Sequence, residues 1–197
     1  MTRLLSTNIN TPEYWNTVYS DEIINSKERL ALDRFQRVAA MIPLNSAVLD
    51  VGCGTGDFVR FLEKNRPDCN ISACDFSNIA IEYAKSKSPQ HEFKIIDILQ
   101  LSTIYKKEFD FVLCFETIEH IESPQTLINE MQKVTKIGGT IVITTPYNNN
   151  VHGGDEHIHS FKYIDFLNFF DDNICPIIAM CRYSENYKNL LCVAKII

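Results

Sequence analysis

Apolar and polar positions follow two rhythms along the chain. Short apolar runs, too brief for helices and rich in β-branched or aromatic residues, occupy Ala47–Val51, Asn70–Asp75, Phe93–Ile96, Phe109–Phe115 and Thr140–Thr145. Each reads as a buried strand. Helical spacing fills the intervals. It places Leu30, Ala31, Phe35, Val38, Ala39 and Ile42 on one side of a helix over 27–42, stopped by Pro43. Phe58, Phe61 and Leu62 line a helix over 58–65, and Ile79, Ile81 and Ala84 one over 78–87. Leu127, Ile128, Met131 and Val134 face inward on a helix over 124–136, which Gly138-Gly139 is expected to end. A helix over 163–170 precedes two apolar strands, 174–181 and 189–196, joined by a hairpin turn at Ser184-Glu185-Asn186. Residues 1–23 show no clear period. Strands alternating with helices predict an α/β fold, with five parallel strands plus a C-terminal β-hairpin and helices on both faces.

Composition narrows the class. A chain of 197 residues is long enough for one substantial core, so a single domain over 1–197 is expected, with an N-terminal helical cap (1–43) on a core (44–197). The net charge of −6 argues against a partner held by its phosphate backbone. No segment is apolar enough to cross a membrane. Asn8, Asn10 and Glu13 interrupt any signal-peptide core. The seven cysteines include no C-x-x-C pair, which favours reduced thiols and a cytoplasmic location over zinc or disulfides.

The candidate chemistry begins where the first strand ends. Leu49-Asp50-Val51-Gly52-Cys53-Gly54-Thr55-Gly56-Asp57 is a glycine turn leading into a helix, the opening of a βαβ nucleotide site. A dinucleotide fingerprint needs glycine at the position held by Asp57, and a carboxylate at a helix N-terminus repels a pyrophosphate. This disfavours an NAD-linked oxidoreductase. The motif resembles that of the class I S-adenosylmethionine (SAM)-dependent methyltransferases. SAM carries an ammonium and a sulfonium and no phosphate, so charge and resemblance agree. The resemblance implies the Rossmann-like seven-stranded sheet of that family. It also implies a cofactor site built on Asp50, Gly52, Cys53, Gly54 and Gly56. Asp75, with Phe76 beside it, would accept from the ribose, with helix capping as its other role. Asp97 would take the adenine amino group, with Ile98 and Phe115 adjoining. A Tyr14-Trp15-Asn16-Thr17-Val18-Tyr19 segment like that ahead of many such cores makes Tyr14 and Trp15 either cofactor contacts or an aromatic plug.

Past the fourth strand stands Glu116-Thr117-Ile118-Glu119-His120. In a helical turn, Glu116, Glu119 and His120 share one face, suited to general base or divalent metal chemistry. Four of the chain's five histidines lie here or in the loop 147–160, beyond the ends of strands four and five, where such sheets bind ligands. His120, Glu119, His157 and His159 are the catalytic candidates, with His120 or His159 as base. The Glu-x-x-Glu-His turn is similar to that of ubiquinone-biosynthesis O-methyltransferases and small-RNA 3′-end 2′-O-methyltransferases. Both modify hydroxyls, which favours O-methylation of a small polar acceptor. The second resemblance implies Mg, Mn, Fe or Zn on Glu116, Glu119, His120 and His159; plain base catalysis is the alternative. An RNA 2′-O-methyltransferase and a non-catalytic SAM-binding partner subunit are the other readings, and the acidic charge disfavours RNA. Oligomeric state is not legible.

Overall fold

A computed structural model describes residues 1–3, 8–24, 32–147, 156–171, 174, 176–182 and 188–197. Nine strands appear among them: β1 (Thr2–Arg3), β2 (Ala47–Val51), β3 (Asn70–Asp75), β4 (Glu92–Ile95), β5 (Phe109–Phe115), β6 (Thr135–Pro146), β7 (His159–Ser160), β8 (Ile177–Arg182) and β9 (Lys188–Lys195). The helices are α1 (Pro12–Ile24), α2 (Leu32–Ala39), α3 (Asp57–Asn65), α4 (Asn78–Lys87), α5 (Leu101–Ile104), α6 (Pro124–Val134) and α7 (Tyr163–Phe169). Seven strands form one sheet in the order β4-β3-β2-β5-β6-β9-β8. β4, β3, β2, β5 and β6 run parallel, and β9 and β8 close the sheet antiparallel. The architecture expected from the alternation of apolar runs is therefore the one formed. Among the described residues, no helix is long and apolar enough to cross a membrane.

Successive residues of the central strands point to opposite faces, and both faces are covered. Val48, Phe111, Leu113 and Val142 pack with Phe35 and Val38 of α2, Phe58 and Leu62 of α3, and Ile81 of α4. Leu49, Val112, Ile141 and Ile143 pack with Leu127, Ile128 and Met131 of α6 and with Phe161 and Phe166. Phe161 and Phe166 are fully buried, each contributing roughly 1.5–3 kcal/mol by leaving water. Two buried faces explain why these strands read as continuous apolar runs.

Three expectations need correction. Residues 12–24 form a helix where no period was legible, because the apolar side chains of α1 are spread around its axis. Asn16 pins this helix to the start of α4, accepting from Ser77 Oγ at 2.6 Å and donating to Asn78 Oδ1 at 2.7 Å. Gly138-Gly139 does not end α6. That helix stops at Val134, and the chain enters β6 directly at Thr135. Phe109 pairs with Thr135 and Phe111 with Thr140, so residues 136–139 bulge opposite Asp110. A Cβ on Gly139 would lie 2.7 Å from Thr135 Cγ2, and so the glycine serves the bulge. Finally, the third parallel strand runs one residue earlier than its apolar run, over 92–95. Part of the 27–42 helix, most of the loop 147–160 and the hairpin turn at 184–186 lie outside the described residues.

Candidate active site

The parallel strands end along one edge of the sheet, and a cavity of about 610 Å³ opens there. The turn after β2 forms its floor. Gly52 and Cys53 both donate their backbone N–H to Cys74 O, at 2.8 and 3.0 Å, which folds the turn over the end of β3. Gly52 has φ 72° and a Cβ there would lie 2.6 Å from the Thr117 side chain; at Gly54, φ 52°, it would meet Tyr19 Oη at 2.9 Å. Neither position accepts a side chain. Gly56 does not line the cavity, and the space its Cβ would need is taken by Ala84 at 3.0 Å. Asp57 does line it, ion-paired with Arg60.

Asp50, Asp75 and Asp97 all reach this cavity, as do Phe76, Ile98 and Phe115. Asp50 and Asp75 are almost wholly buried. Burial, then the neighbouring Asp75, pushes the Asp50 carboxyl up to about 7, while Arg34 opposes the rise. Burial also raises Asp75, against hydrogen bonds from backbone N–H groups that lower it. Its Oδ2 accepts from Gly54 N and its Oδ1 from Ser77 N, each at 2.9 Å. The capping of α4 falls to Ser77, whose Oγ accepts from Ala80 N at 3.2 Å. Exposed Asp97 caps the short turn 98–100 through Leu99 N at 2.9 Å. Trp15 is buried and lines the cavity, whereas Tyr14 packs edge-on to Trp15 outside it.

The acid–histidine turn is not α-helical. Ile118–His120 form a 3-10 turn, and Glu116 before it has φ 47°. Its face-sharing pattern therefore changes. Glu116 Oε1 turns to Arg34 Nη1 and Thr144 Oγ1, both at 2.8 Å. Glu119 goes instead into the interior, where its Oε2 accepts from Thr145 Oγ1 at 3.0 Å and its Oε1 has no partner among the described residues. Burial, then Glu116, raises the Glu119 carboxyl well above the usual range. Glu119, His120 and His157 offer ligand atoms within 4.8 Å of one another. Glu116 and His159 of the expected metal set are not in this group; His159 Nε2 lies 3.4 Å from Glu122 O. Of the four catalytic candidates only His120 lines the cavity, with Glu119 and His157 behind it. Burial lowers the His157 imidazole.

Arg34 went unread in the sequence. It lines the cavity, its side chain is 12% exposed, and its Nε is buried without a partner among the described residues. Its guanidinium lies 5.6 Å from the Phe115 ring centroid. A lone arginine on an amphipathic helix gives no signal of its own; its place in the same cavity as Asp50 is a tertiary fact.

Comparison with known proteins agrees with this geometry. A family model described as a methyltransferase domain matches residues 44–191. A malonyl-acyl-carrier-protein O-methyltransferase of Priestia megaterium is 33% identical over 101 residues, 50% of this chain and 36% of that protein. A ubiquinone biosynthesis O-methyltransferase of Coxiella burnetii is 31% identical over 101 residues, 50% of this chain and 42% of that protein. The chain thus spans less than half the length of these curated relatives. The SAH-bound magnesium protoporphyrin IX methyltransferase of Synechocystis superposes with a TM-score of 0.74 at 16% identity, covering 94% of this chain and 98% of that one. With the matched segment spanning the glycine turn, all three strand-end acids and the Glu-x-x-Glu-His turn, the chain belongs to the methyltransferase domain family and has the class I fold of its SAM-dependent members.

Proposed function

We propose that this protein transfers a methyl group from SAM to a hydroxyl oxygen of a small polar acceptor. The reading is carried by two buried carboxylates, Asp50 and Asp75, opening into the same cavity as His120. Burial disfavours the charged form of both acids, and a cationic or hydroxyl-bearing ligand beside them would offset that cost. Asp50 would meet the ammonium group, Asp75 the ribose hydroxyls and Asp97 the adenine amino group, with Ile98 against the ring. The orphaned Nε of Arg34 is suited to the carboxylate at the methionine end. Gly52 and Gly54 keep the turn thin, and Trp15 and Phe115 exclude water. Bound SAM supplies a methyl carbon already activated by its sulfonium. What the protein adds is alignment, worth about 7–11 kcal/mol of barrier when the reacting atoms are held in place, and a base for the hydroxyl proton. His120 is that base, since it alone of the candidate set faces the cavity.

A second reading adds a divalent cation on Glu119, His120 and His157, favoured by the partnerless Oε1 of Glu119. It would supply Lewis acidity toward the hydroxyl. Calorimetric titration of S-adenosylhomocysteine (SAH) into EDTA-treated protein tests the first reading, and no binding overturns it. Titration of Mn²⁺ then tests the second, which requires an isotherm that Glu119→Ala abolishes.

A further inference from the structure

One directed hydrogen-bond chain, built from three distant parts of the sequence, reaches His120. The Trp15 indole N–H donates to Asn10 Oδ1 at 3.0 Å. Asn10 Nδ2 donates to the backbone carbonyl of Glu156 at 2.8 Å. The same carbonyl lies 3.1 Å from His120 Nδ1. Each direction is fixed by chemistry. An indole nitrogen only donates and a backbone carbonyl only accepts, so Asn10 must turn its oxygen to Trp15 and its amide to Glu156. By the same rule, His120 must carry a proton on Nδ1. A neutral imidazole so protonated has its lone pair on Nε2.

The surroundings leave the ring little freedom to choose otherwise. The rings of Trp15 and His120 meet edge-on with centroids 4.9 Å apart, and His157 packs on His120 at 4.8 Å. Ile158 N donates to Glu119 O at 3.0 Å, tying the segment that carries Glu156 to the turn that carries His120. Asn10 is itself held from behind, with its backbone N donating to Asn8 Oδ1 at 2.9 Å. Asn8, Asn10 and Trp15 all line the cavity.

We propose that Asn10 is a positioning residue: through the Glu156 carbonyl it holds His120 in its Nδ1–H form, leaving Nε2 as the atom that takes the acceptor's proton. The inference rests on the reading of His120 as the base. In that step the acceptor O–H bond breaks and an Nε2–H bond forms, while the electron pair stays on oxygen. The resulting imidazolium keeps its Nδ1–H on Glu156. Such a base is not complete in the sheet alone, because residues 8–15 finish it.

Long-range proton–nitrogen-15 NMR of the histidine rings tests this without any acceptor. The full chain is treated with EDTA and measured near neutral pH, with His120→Gln assigning the signals. Wild type is expected to show a protonated Nδ1 and an unprotonated Nε2 at His120. Asn10→Ala removes the amide, and Trp15→Phe removes the indole N–H that bonds its oxygen, along with part of the ring; each is expected to give a mixture of the two tautomers. Amide spectra verify that the variants fold, and Trp15→Phe carries the test should Asn10→Ala fail to. A wild-type His120 protonated on Nε2, alone or with Nδ1, overturns the proposal, as does an unchanged tautomer in the folded variants. Failure of the separate SAH titration would instead overturn the SAM reading and leave the tautomer result standing.

Discussion

Arg34 Nη1 lies 2.8 Å from Glu116 Oε1, with the arginine side chain 12% exposed and the glutamate side chain 20% exposed. The pair brings α2 against the turn after β5 and holds Arg34 in the cavity that Asp50 also lines. Arg34→Met keeps the packing on Phe115 but removes the charge. A hydrogen bond to a charged group is worth about 1.5–3 kcal/mol, so SAH affinity is expected to fall roughly 10–100-fold. Calorimetric titration of the variant reads this directly. Unchanged affinity would remove Arg34 from the cofactor site.

Asp50 gives a pH signature. Its carboxyl sits at about 7 in the folded chain against an ordinary 3.8. Between those values the folded state binds the extra proton. The stability linked to this group is therefore full below about pH 4, falls as pH rises and levels off above about pH 7. Asp50→Asn abolishes the loss. The variant is expected to melt close to wild type at pH 4 and higher above pH 7, by an order of 1–4 kcal/mol. Thermal melts across that window check it, and a constant gap between the two proteins would count against a raised Asp50.

Glu119 separates the charge from the shape. Glu119→Gln can still accept from Thr145 Oγ1, now without a buried carboxylate, and is expected to leave the melting temperature unchanged or raise it. Glu119→Ala leaves the Thr145 hydroxyl without its partner and is expected to cost about 1–3 kcal/mol. Chemical denaturation of both variants distinguishes these outcomes.

At Gly54, a methyl group would meet the Tyr19 hydroxyl at 2.9 Å in a left-handed backbone. Gly54→Ala is expected to lose about 1–2 kcal/mol from the backbone conformation and more from the contact. In a Tyr19→Phe background the contact part should shrink. A double-mutant cycle in stability measures it, and strict additivity would mean that the two residues do not touch.

The sequence was most legible where burial is two-sided. The strands over 47–51, 70–75 and 109–115 kept the bounds of their apolar runs. It was least legible where an effect depends on distant residues. Gly138-Gly139 matches a helix end in composition, but only the pairing of β5 with β6 shows that the glycines serve a bulge. Spacing puts Glu116, Glu119 and His120 on one face of a helical turn, and the positive φ of Glu116 breaks that face by sending the first acid to Arg34. Local spacing cannot report that turn. Nor can it bring Asn10 to the Glu156 carbonyl, 146 residues away.

The anchoring of α1 on α4 also has a consequence during synthesis. Asn16 leaves the ribosome well before Ser77, its partner 61 residues later. At about 5–20 residues per second that interval is roughly 3–12 s. Through it, residues 12–24 have no α4 to dock on. Helix α1 therefore waits for α4, and β2 and β3 must find each other in the nascent chain without it.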